Sequence, residues 1–153
     1  MGIQRVGHAV IRMRDLEKAK WFYHEVLGME IGAETDLGIF FRFGNYHHDL
    51  AVFYAAPDGA LPNGTEVGLD HLALLADNIE SVRAIYDRAK AMGVEVVGSA
   101  DHAITRSLYL RDPEGNKIEV YVDVPEYNWR EEGMGGILLP FDIEDIPSPA
   151  ATH

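Results

Sequence analysis

Two stretches decide the fold of this chain: Val6-Gly7-His8-Ala9-Val10-Ile11 and Leu69-Asp70-His71-Leu72-Ala73-Leu74. Each is an apolar strand pattern that carries one histidine at its third position. Tyr23 follows His8 at the same separation as Tyr86 follows His71. The chain therefore contains a diverged internal repeat, and the rest of the sequence is organised around it.

A helix is predicted after the first strand of each copy. Asp15 stands at the N-cap position of a helix over residues 16–27, and either Asp77 or Asn78 caps a helix that runs to about Met92. A glycine ends each helix, Gly28 in the first copy and Gly93 in the second. The residues with apolar helical spacing are Leu16, Ala19, Phe22, Tyr23 and Val26, then Ile79, Val82, Ile85, Tyr86 and Ala89.

Three further strands follow each helix. In the first copy they begin at Met29, near Gly38 (to Phe43) and near His48 (to Ala55); in the second they begin at Val94, Ile104 (to Arg111) and Lys117 (to Val122). Each copy thus has the order β-α-β-β-β. The prediction is an α+β fold in which two βαβββ modules in tandem form a curled mixed sheet around a metal-binding cleft. A pseudo-two-fold axis would place the two histidines opposite each other.

The predicted domain spans residues 1–123, with one module at about 4–56 and the other at about 69–123. Two Pro/Gly turns mark residues 57–68 as the linker between them. Residues 124–153 form a Pro-rich, acidic tail that wraps the domain or a partner subunit, with a frayed end at 147–153. The sequence leaves open whether the modules close one cleft within a chain or exchange between chains.

Composition excludes several functional classes. The formal net charge of −12 repels phosphate backbones and argues against a nucleic-acid partner. The absence of cysteine excludes disulfides, thiolate nucleophiles and zinc–thiolate sites, so a metal must be held by nitrogen and oxygen. No apolar run is long enough to span a membrane and no secretory signal is recognisable, so a cytoplasmic location is expected.

The repeat predicts a metal site. A lone histidine on an apolar strand is usually structural, but His8 and His71 occupy matched positions and so point at one locus. Strand alternation turns Glu119 away from Ile118 and Val120, which predicts that its carboxylate faces solvent or the cleft. Two imidazoles and one carboxylate form the facial triad that binds Fe(II) with open positions.

The first copy lacks a fourth ligand. Alignment of Leu50-Ala51-Val52-Phe53 with Ile118-Glu119-Val120-Tyr121 places Ala51 opposite Glu119. A site with four protein ligands would need a carboxylate or an amide at that position. The predicted metal ligands are therefore His8, His71 and Glu119 alone.

Over roughly residues 4–123 the repeat and these ligands resemble the vicinal-oxygen-chelate superfamily. That family includes glyoxalase I, bleomycin-resistance proteins, fosfomycin-resistance enzymes, methylmalonyl-CoA epimerase and the extradiol ring-cleaving dioxygenases. The segment from His102 to Glu119, with its Leu108-Tyr109 pair and its Asp112-Pro113-Glu114-Gly115 turn, resembles the extradiol signature. Ala100 departs from that pattern, which has Gly, Asn, Thr, Ile or Val at the position.

The resemblance implies a function for three further residues. Tyr46-His47-His48-Asp49 is similar to the dioxygenase segment that carries the acid–base histidine, which assigns that role to His48. If the strand is regular, His47 rather than His48 shares the parity of Ala51, so either His48 precedes regular pairing or His47 is the catalytic residue. His102 and Tyr109 would hydrogen-bond the metal-bound substrate oxygen.

The implied enzyme is a metal-dependent extradiol dioxygenase that cleaves a catechol-type aromatic with O₂. Fe(II) is the expected metal, with Mn(II) as the alternative, and a homo-oligomer is the expected assembly. Many such dioxygenases carry two double-copy domains, whereas this chain has one. The competing hypotheses are a fosfomycin-resistance-type thiol transferase, for which Arg106 and Lys117 leave room, and a bleomycin-type drug-binding protein.

Overall fold

The computed structural model describes residues 2–134 and 137–149, and the chain divides into two compact units, Met1–Leu61 and Pro62–His153. The division falls within the stretch predicted as the linker. Each unit holds one copy of the repeat and has its own four-stranded sheet.

The first unit begins with strand β1 (Ala9–Met13) and a short helix α1 (Leu16–Ala19), which continues as a π-helix over Lys20–Val26. Strands β2 (Glu30–Thr35), β3 (Gly38–Arg42) and β4 (Leu50–Tyr54) follow. The strand order across the sheet is β1-β4-β3-β2. Strands β1 and β4 are parallel, and the other neighbours are antiparallel.

The second unit repeats this topology. Strand β5 (Leu72–Leu75) leads into helix α2 (Ile79–Ala91), and β6 (Val96–Asp101), β7 (Thr105–Arg111) and β8 (Lys117–Asp123) complete a sheet of order β5-β8-β7-β6. Strands β5 and β8 are parallel. The predicted α+β class and the β-α-β-β-β order of both copies are confirmed.

Strand register shows that the two copies are equivalent in detail. Val10 pairs with Ala51 in the first sheet, and Ala73 pairs with Glu119 in the second. The first residue of each pair lies two positions after a histidine, His8 or His71. The predicted correspondence of Ala51 with Glu119 is therefore confirmed. Each histidine immediately precedes its strand, whereas the sequence predicted it within the strand.

The five apolar residues of the first predicted helix face are each at most 6% exposed. In the second face Val82, Tyr86 and Ala89 are buried, whereas Ile79 and Ile85 are half-buried. Asp15 and Asn78 are the N-caps, and each accepts hydrogen bonds from backbone N–H groups of the first turn. Gly28 and Gly93 follow the helices at φ of 81° and 76°, a conformation that favours glycine.

One detail of the first helix differs from the prediction of a regular helix over residues 16–27. From Lys20 the backbone is a π-helix, with Leu27 N–H donating to the carbonyl of Phe22 five residues earlier. Two consecutive aromatic residues, Phe22 and Tyr23, are fully buried in this wider segment. Apolar spacing alone does not distinguish 3.6 from more than four residues per turn.

The tail packs on the second unit. It contains a short helix α3 (Trp129–Glu132) and a 3₁₀ turn (Ile143–Asp145), and Ile143 is only 2% exposed. Leu139 forms an isolated antiparallel bridge with Asp101 at the end of β6. Residues 150–153 of the predicted frayed end lie outside the described part of the chain. Within the described ranges, no helix has the length and apolar character to cross a membrane.

The caps of α2 and α3 provide a stability test. Asn78→Ala removes the side-chain acceptor for Ser81 N–H and should lower the free energy of unfolding by about 1 kcal/mol. Asn128→Ala is the matched control, because Asn128 occupies the N-cap of α3 without a side-chain cap bond. Urea denaturation of both variants measures the difference, and equal losses would show that the cap bond contributes nothing.

Candidate metal site

The site in the second unit is built around Glu119 on β8, which is a buried carboxylate. Glu119 is 8% exposed, and three side chains contact its two carboxylate oxygens. Ser107 Oγ donates to Oε1 at 2.5 Å, and Tyr109 Oη donates to the same oxygen at 3.1 Å. His71 Nε2 lies 2.9 Å from Oε2. Glu119 thus faces the polar side of its sheet, as its parity predicts, but is enclosed by neighbours.

His71 lies between two carboxylates. Its Nδ1 is 2.6 Å from Asp70 Oδ2, and its Nε2 is 2.9 Å from Glu119 Oε2. A neutral imidazole has one N–H and can donate to only one of them. The other ring nitrogen then directs its lone pair at a carboxylate oxygen. A proton or a metal cation between those atoms relieves the repulsion.

The spacing of His71 Nε2 and Glu119 Oε2 suits two neighbouring ligands of a divalent metal ion. Neighbouring ligand atoms around an ion with bonds of about 2.1 Å lie about 3 Å apart, close to the separation of His71 Nε2 from Glu119 Oε2. When Nδ1–H donates to Asp70, the Nε2 lone pair is free for the ion. A histidine ligand whose second nitrogen donates to a carboxylate is the usual arrangement in metal sites.

Lys117 holds Asp70 in place. Its Nζ lies 2.7 Å from Asp70 Oδ2, the same oxygen that contacts His71. Hydrogen bonds from His71 and from Lys117 lower the pKa of Asp70 to about 2. Asp70 is therefore ionised at neutral pH and can accept a hydrogen bond from Nδ1–H of His71.

Tyr109 and His102 extend the network away from Glu119. His102 Nε2 lies 3.0 Å from Tyr109 Oη, and Nδ1 lies 3.3 Å from the carbonyl of Ile137. Burial, together with the charge of Glu119, raises the pKa of Tyr109 to about 12. The phenol therefore keeps its proton at neutral pH and acts as a hydrogen-bond donor.

The first unit carries a separate group of histidines. The ring of His8 lies 4.3 Å from that of His48, and His47 Nδ1 lies 2.6 Å from His48 Nδ1. Burial lowers the pKa of His48, and the charges of His8 and His47 lower it further. Strand β4 begins at Leu50, so both His47 and His48 precede regular pairing. The parity objection to His48 therefore does not apply.

The two copies differ at the position of the carboxylate. Phe40 pairs with Ala51 in the first sheet, whereas Tyr109 pairs with Glu119 in the second. The first copy thus has apolar residues where the second has its acid and its phenol. Ala51 is fully buried and offers no ligand atom.

The structure brings four of the six predicted site residues into one network: His71, Glu119, Tyr109 and His102. His8 and His48 contact each other in the other unit. Within either unit alone, the described residues contain no group of three or more His, Asp or Glu side chains placed to hold a metal ion. The predicted triad draws two ligands from the second unit and one from the first, and it stays a prediction.

Two residues of the network were not predicted from the sequence, and neither was the contact of a third, Lys117, with Asp70. Asp70 and Ser107 were not predicted as site residues, and Lys117 was considered only as a cation for a phosphonate. Asp70 is adjacent to His71, and Ser107 shares the strand parity of Tyr109. These signals existed, but only the register of β7 on β8 shows that Ser107 and Tyr109 both reach Glu119.

Comparison with known proteins agrees with the fold described above. The family model described as Glyoxalase/Bleomycin resistance protein/Dioxygenase superfamily matches residues 5–120. The solved lactoylglutathione lyase from Agrobacterium tumefaciens has a similar fold, with a TM-score of 0.62 and 25% identity. That likeness covers 80% of this chain and 96% of the other.

Relatives include enzymes of two reaction classes. The chain is 30% identical over 146 residues to a catechol-2,3-dioxygenase of Bacillus subtilis (strain 168), covering 92% of this chain and 49% of the relative. It is 32% identical to biphenyl-2,3-diol 1,2-dioxygenase 3 of Rhodococcus globerulus, covering 78% and 63%. Glutathione transferase FosA of Serratia marcescens is 26% identical, covering 78% and 82%. The chain spans about half to two-thirds of the length of the two dioxygenases.

Asp70 provides a test of the metal-binding hypothesis. Asp70→Asn removes the carboxylate that accepts from His71 Nδ1 and should weaken Fe(II) or Mn(II) binding roughly 10- to 100-fold. His71→Ala and Glu119→Ala should abolish binding, because each deletes a ligand. Anaerobic titration with metal analysis measures these affinities. Asp58→Asn, at an exposed carboxylate outside the site, is the control, and unchanged affinity in all three site variants would contradict the assignment.

Proposed function

We propose that this chain, which belongs to the glyoxalase/bleomycin resistance protein/dioxygenase superfamily, is an extradiol dioxygenase that cleaves a catechol-type aromatic with O₂. Metal dependence is supported by the dioxygenase relatives, one of which carries the name manganese-dependent 2,3-dihydroxybiphenyl 1,2-dioxygenase. The finer activity rests on the network in the second unit. We further propose that His8, His71 and Glu119 hold Fe(II) or Mn(II), and that the protein works as a cytoplasmic homo-oligomer.

The observation that carries the proposal is the series of contacts from His102 through Tyr109 to Glu119. His102 Nε2 is 3.0 Å from Tyr109 Oη, which is 3.1 Å from Glu119 Oε1. A histidine and a phenol therefore adjoin a proposed ligand. Metal binding or drug sequestration alone does not require a histidine beside this phenol. An oxygenase needs such donors for the charge that develops on substrate oxygen.

The bound metal would supply a Lewis-acidic centre with open positions at which a catechol and O₂ meet. The chain's own residues provide the surroundings. Tyr109 stays protonated because burial raises its pKa to about 12, so it can donate to a substrate oxygen beside Glu119. Ser107 donates to Glu119 Oε1 and keeps that oxygen directed at its own sheet.

His48 is the proposed acid–base residue. Its Nδ1 is engaged with Nδ1 of His47 at 2.6 Å, which leaves Nε2 as the ring nitrogen for proton exchange with the substrate. Phe40 packs edge-on against the His48 ring, at a centroid distance of 5.2 Å, and limits its rotation. His47 stacks instead on Tyr46. The contacts therefore support His48 over His47.

The thiol transferase is the second candidate, because a relative carries the name glutathione transferase FosA. Such an enzyme needs cations to bind a phosphonate. In this chain Arg106 Nε lies 3.0 Å from Asp101 Oδ2, and Lys117 Nζ lies 2.7 Å from Asp70 Oδ2. Both cations are paired with carboxylates, which supports the dioxygenase. The register equivalence of Ala51 with Glu119 argues against a four-ligand glyoxalase or epimerase site.

Oxygen uptake separates these functions. The Fe(II) protein, reconstituted anaerobically, should consume O₂ with at least one substituted catechol. His102→Phe and Tyr109→Phe should keep the metal and lower the rate roughly 10²- to 10³-fold, because each removes a hydrogen bond to developing charge. Tyr121→Phe, on the same face of β8 as Glu119, is the matched control for loss of a phenol. Thiol addition to fosfomycin without any O₂ uptake would decide for the transferase.

The two adjacent histidines are separated by paired substitutions. His48→Gln should retain metal and lose roughly 10²- to 10⁴-fold in kcat, the usual contribution of a general acid–base group. His47→Gln, one residue away, should lose far less. The measurement is steady-state O₂ uptake at saturating catechol. The reverse order of effects would transfer the acid–base role to His47.

A further inference from the structure

The last described segment of the chain, residues 137–149, is here named the C-terminal strap. Arg83 on α2 fastens it: Nη1 donates to the carbonyls of Ile143 at 3.0 Å, of Glu144 at 2.9 Å and of Ile146, and Nη2 donates to Ser148 Oγ. The side chain of Arg83 is only 13% exposed. One largely buried guanidinium thus holds four acceptors of a segment about 60 residues away in sequence.

A second fastening joins the strap to the edge strand β6. Ser99 Oγ donates to the carbonyl of Phe141 and accepts from the N–H of Ile143, both at 3.2 Å. The N–H of Leu139 donates to the carbonyl of Asp101 at 2.8 Å. The strap therefore lies along β6 and α2, and its bridge to Asp101 pairs one backbone carbonyl at the end of this edge strand.

At its first described residue the strap reaches the site. The carbonyl of Ile137 lies 3.3 Å from His102 Nδ1. A carbonyl only accepts, so this contact requires a proton on Nδ1. In the neutral ring the Nε2 lone pair is then directed at Tyr109 Oη, 3.0 Å away. Tyr109 has one proton and two acceptors, His102 Nε2 and Glu119 Oε1. The tautomer of His102 decides how that proton is shared.

We propose that the C-terminal strap is a positioning element of the site, which fixes the ring orientation and the Nδ1–H tautomer of His102, with Arg83 as its main anchor. The catalytic consequence rests on the proposed dioxygenase function. With the strap docked, His102 competes with Glu119 for the proton of Tyr109. With the strap released, the ring of His102 can adopt the Nε2–H tautomer. Tyr109 then donates to Glu119 alone.

The turn that carries His102 is stabilised by hydrogen bonds within the turn and by a contact with the strap. His102 N–H donates to the carbonyl of Thr105 at 2.8 Å, and Ala103 follows at φ 68°, an uncommon conformation for a residue with a side chain. Asp101 stabilises this turn by accepting from Ala103 N–H and from Arg106 Nε. Its backbone carbonyl is the acceptor for the strap, so one residue joins the turn to the strap.

The test uses Arg83→Ala, which removes all four anchor bonds without touching the network around Glu119. Arg111→Ala is the matched control, because Arg111 also bonds a backbone carbonyl, that of Gly115, and a carboxylate, Glu95, on the same unit. Ser99→Ala weakens the second fastening independently. Thermal unfolding of each variant confirms that it is folded before the site is measured.

The direct readout is the tautomer of His102 in the metal-free protein. Long-range ¹H–¹⁵N correlation of the histidine rings distinguishes Nδ1–H from Nε2–H, and the His102 signal is assigned by its loss in His102→Gln. Wild type and Arg111→Ala should show Nδ1–H. Arg83→Ala should show a mixture or a shift to Nε2–H. An unchanged Nδ1–H signal in folded Arg83→Ala and Ser99→Ala would overturn the proposal.

The kinetic readout is a double-mutant cycle. Arg83→Ala should lower kcat for catechol-dependent O₂ uptake roughly ten- to a hundredfold, as expected for a misplaced catalytic group, with metal content and KM little changed. In the His102→Phe background the same substitution should have no further effect. Multiplicative losses would show a structural role only and overturn the proposal. Absence of O₂ uptake in wild type would refute the proposed function, whereas the tautomer measurement would still decide the role of the strap.

Discussion

The structure of the second unit depends on the burial of one carboxylate. Glu119 sits on a central strand with 8% of its surface exposed, and an ionised group in such a place is tolerated only when its oxygens are fully partnered. Ser107, Tyr109 and His71 supply those partners. The requirement places polar residues on one face of β7, while Leu108 and Leu110 on the other face are fully buried.

The same constraint explains how two copies of one module came to differ. In the first sheet the positions of Glu119 and Tyr109 are held by Ala51 and Phe40, so the copy needs no hydrogen-bond partners there. The first copy keeps the histidine that precedes its first strand, His8, which contacts His48. The second copy thus combines histidines with a buried carboxylate, whereas the first copy has histidines without one. Such asymmetry suits the proposed site, in which one ion has two nitrogen ligands and one oxygen ligand.

The polar contacts of the second unit form one continuous series. Lys117 contacts Asp70, Asp70 contacts His71, and His71 contacts Glu119. From Glu119 the series continues through Tyr109 and His102 to the carbonyl of Ile137 in the strap. In each hydrogen-bonded contact, the atom that carries the proton on one side chain constrains whether its neighbour donates or accepts. A segment without catalytic side chains of its own can therefore influence the site through a backbone carbonyl.

The sequence by itself determined the repeat, the order of elements in each copy, the N-cap of the first helix and the identity of the metal-ligand candidates, whereas it left the N-cap of the second helix open between Asp77 and Asn78. These features depend on local periodicity and on turn chemistry, which neighbouring residues specify. Only the tertiary structure decided that Asp70 and Ser107 belong to the site, that the helix after β1 widens at Lys20, and that residues 137–149 pack on α2 and β6. Strand alternation assigns a side chain to a face, but the neighbour it meets there depends on register between strands distant in sequence. Several contacts of the strap are made by backbone carbonyls, and these leave no sequence pattern because every residue type carries the same carbonyl.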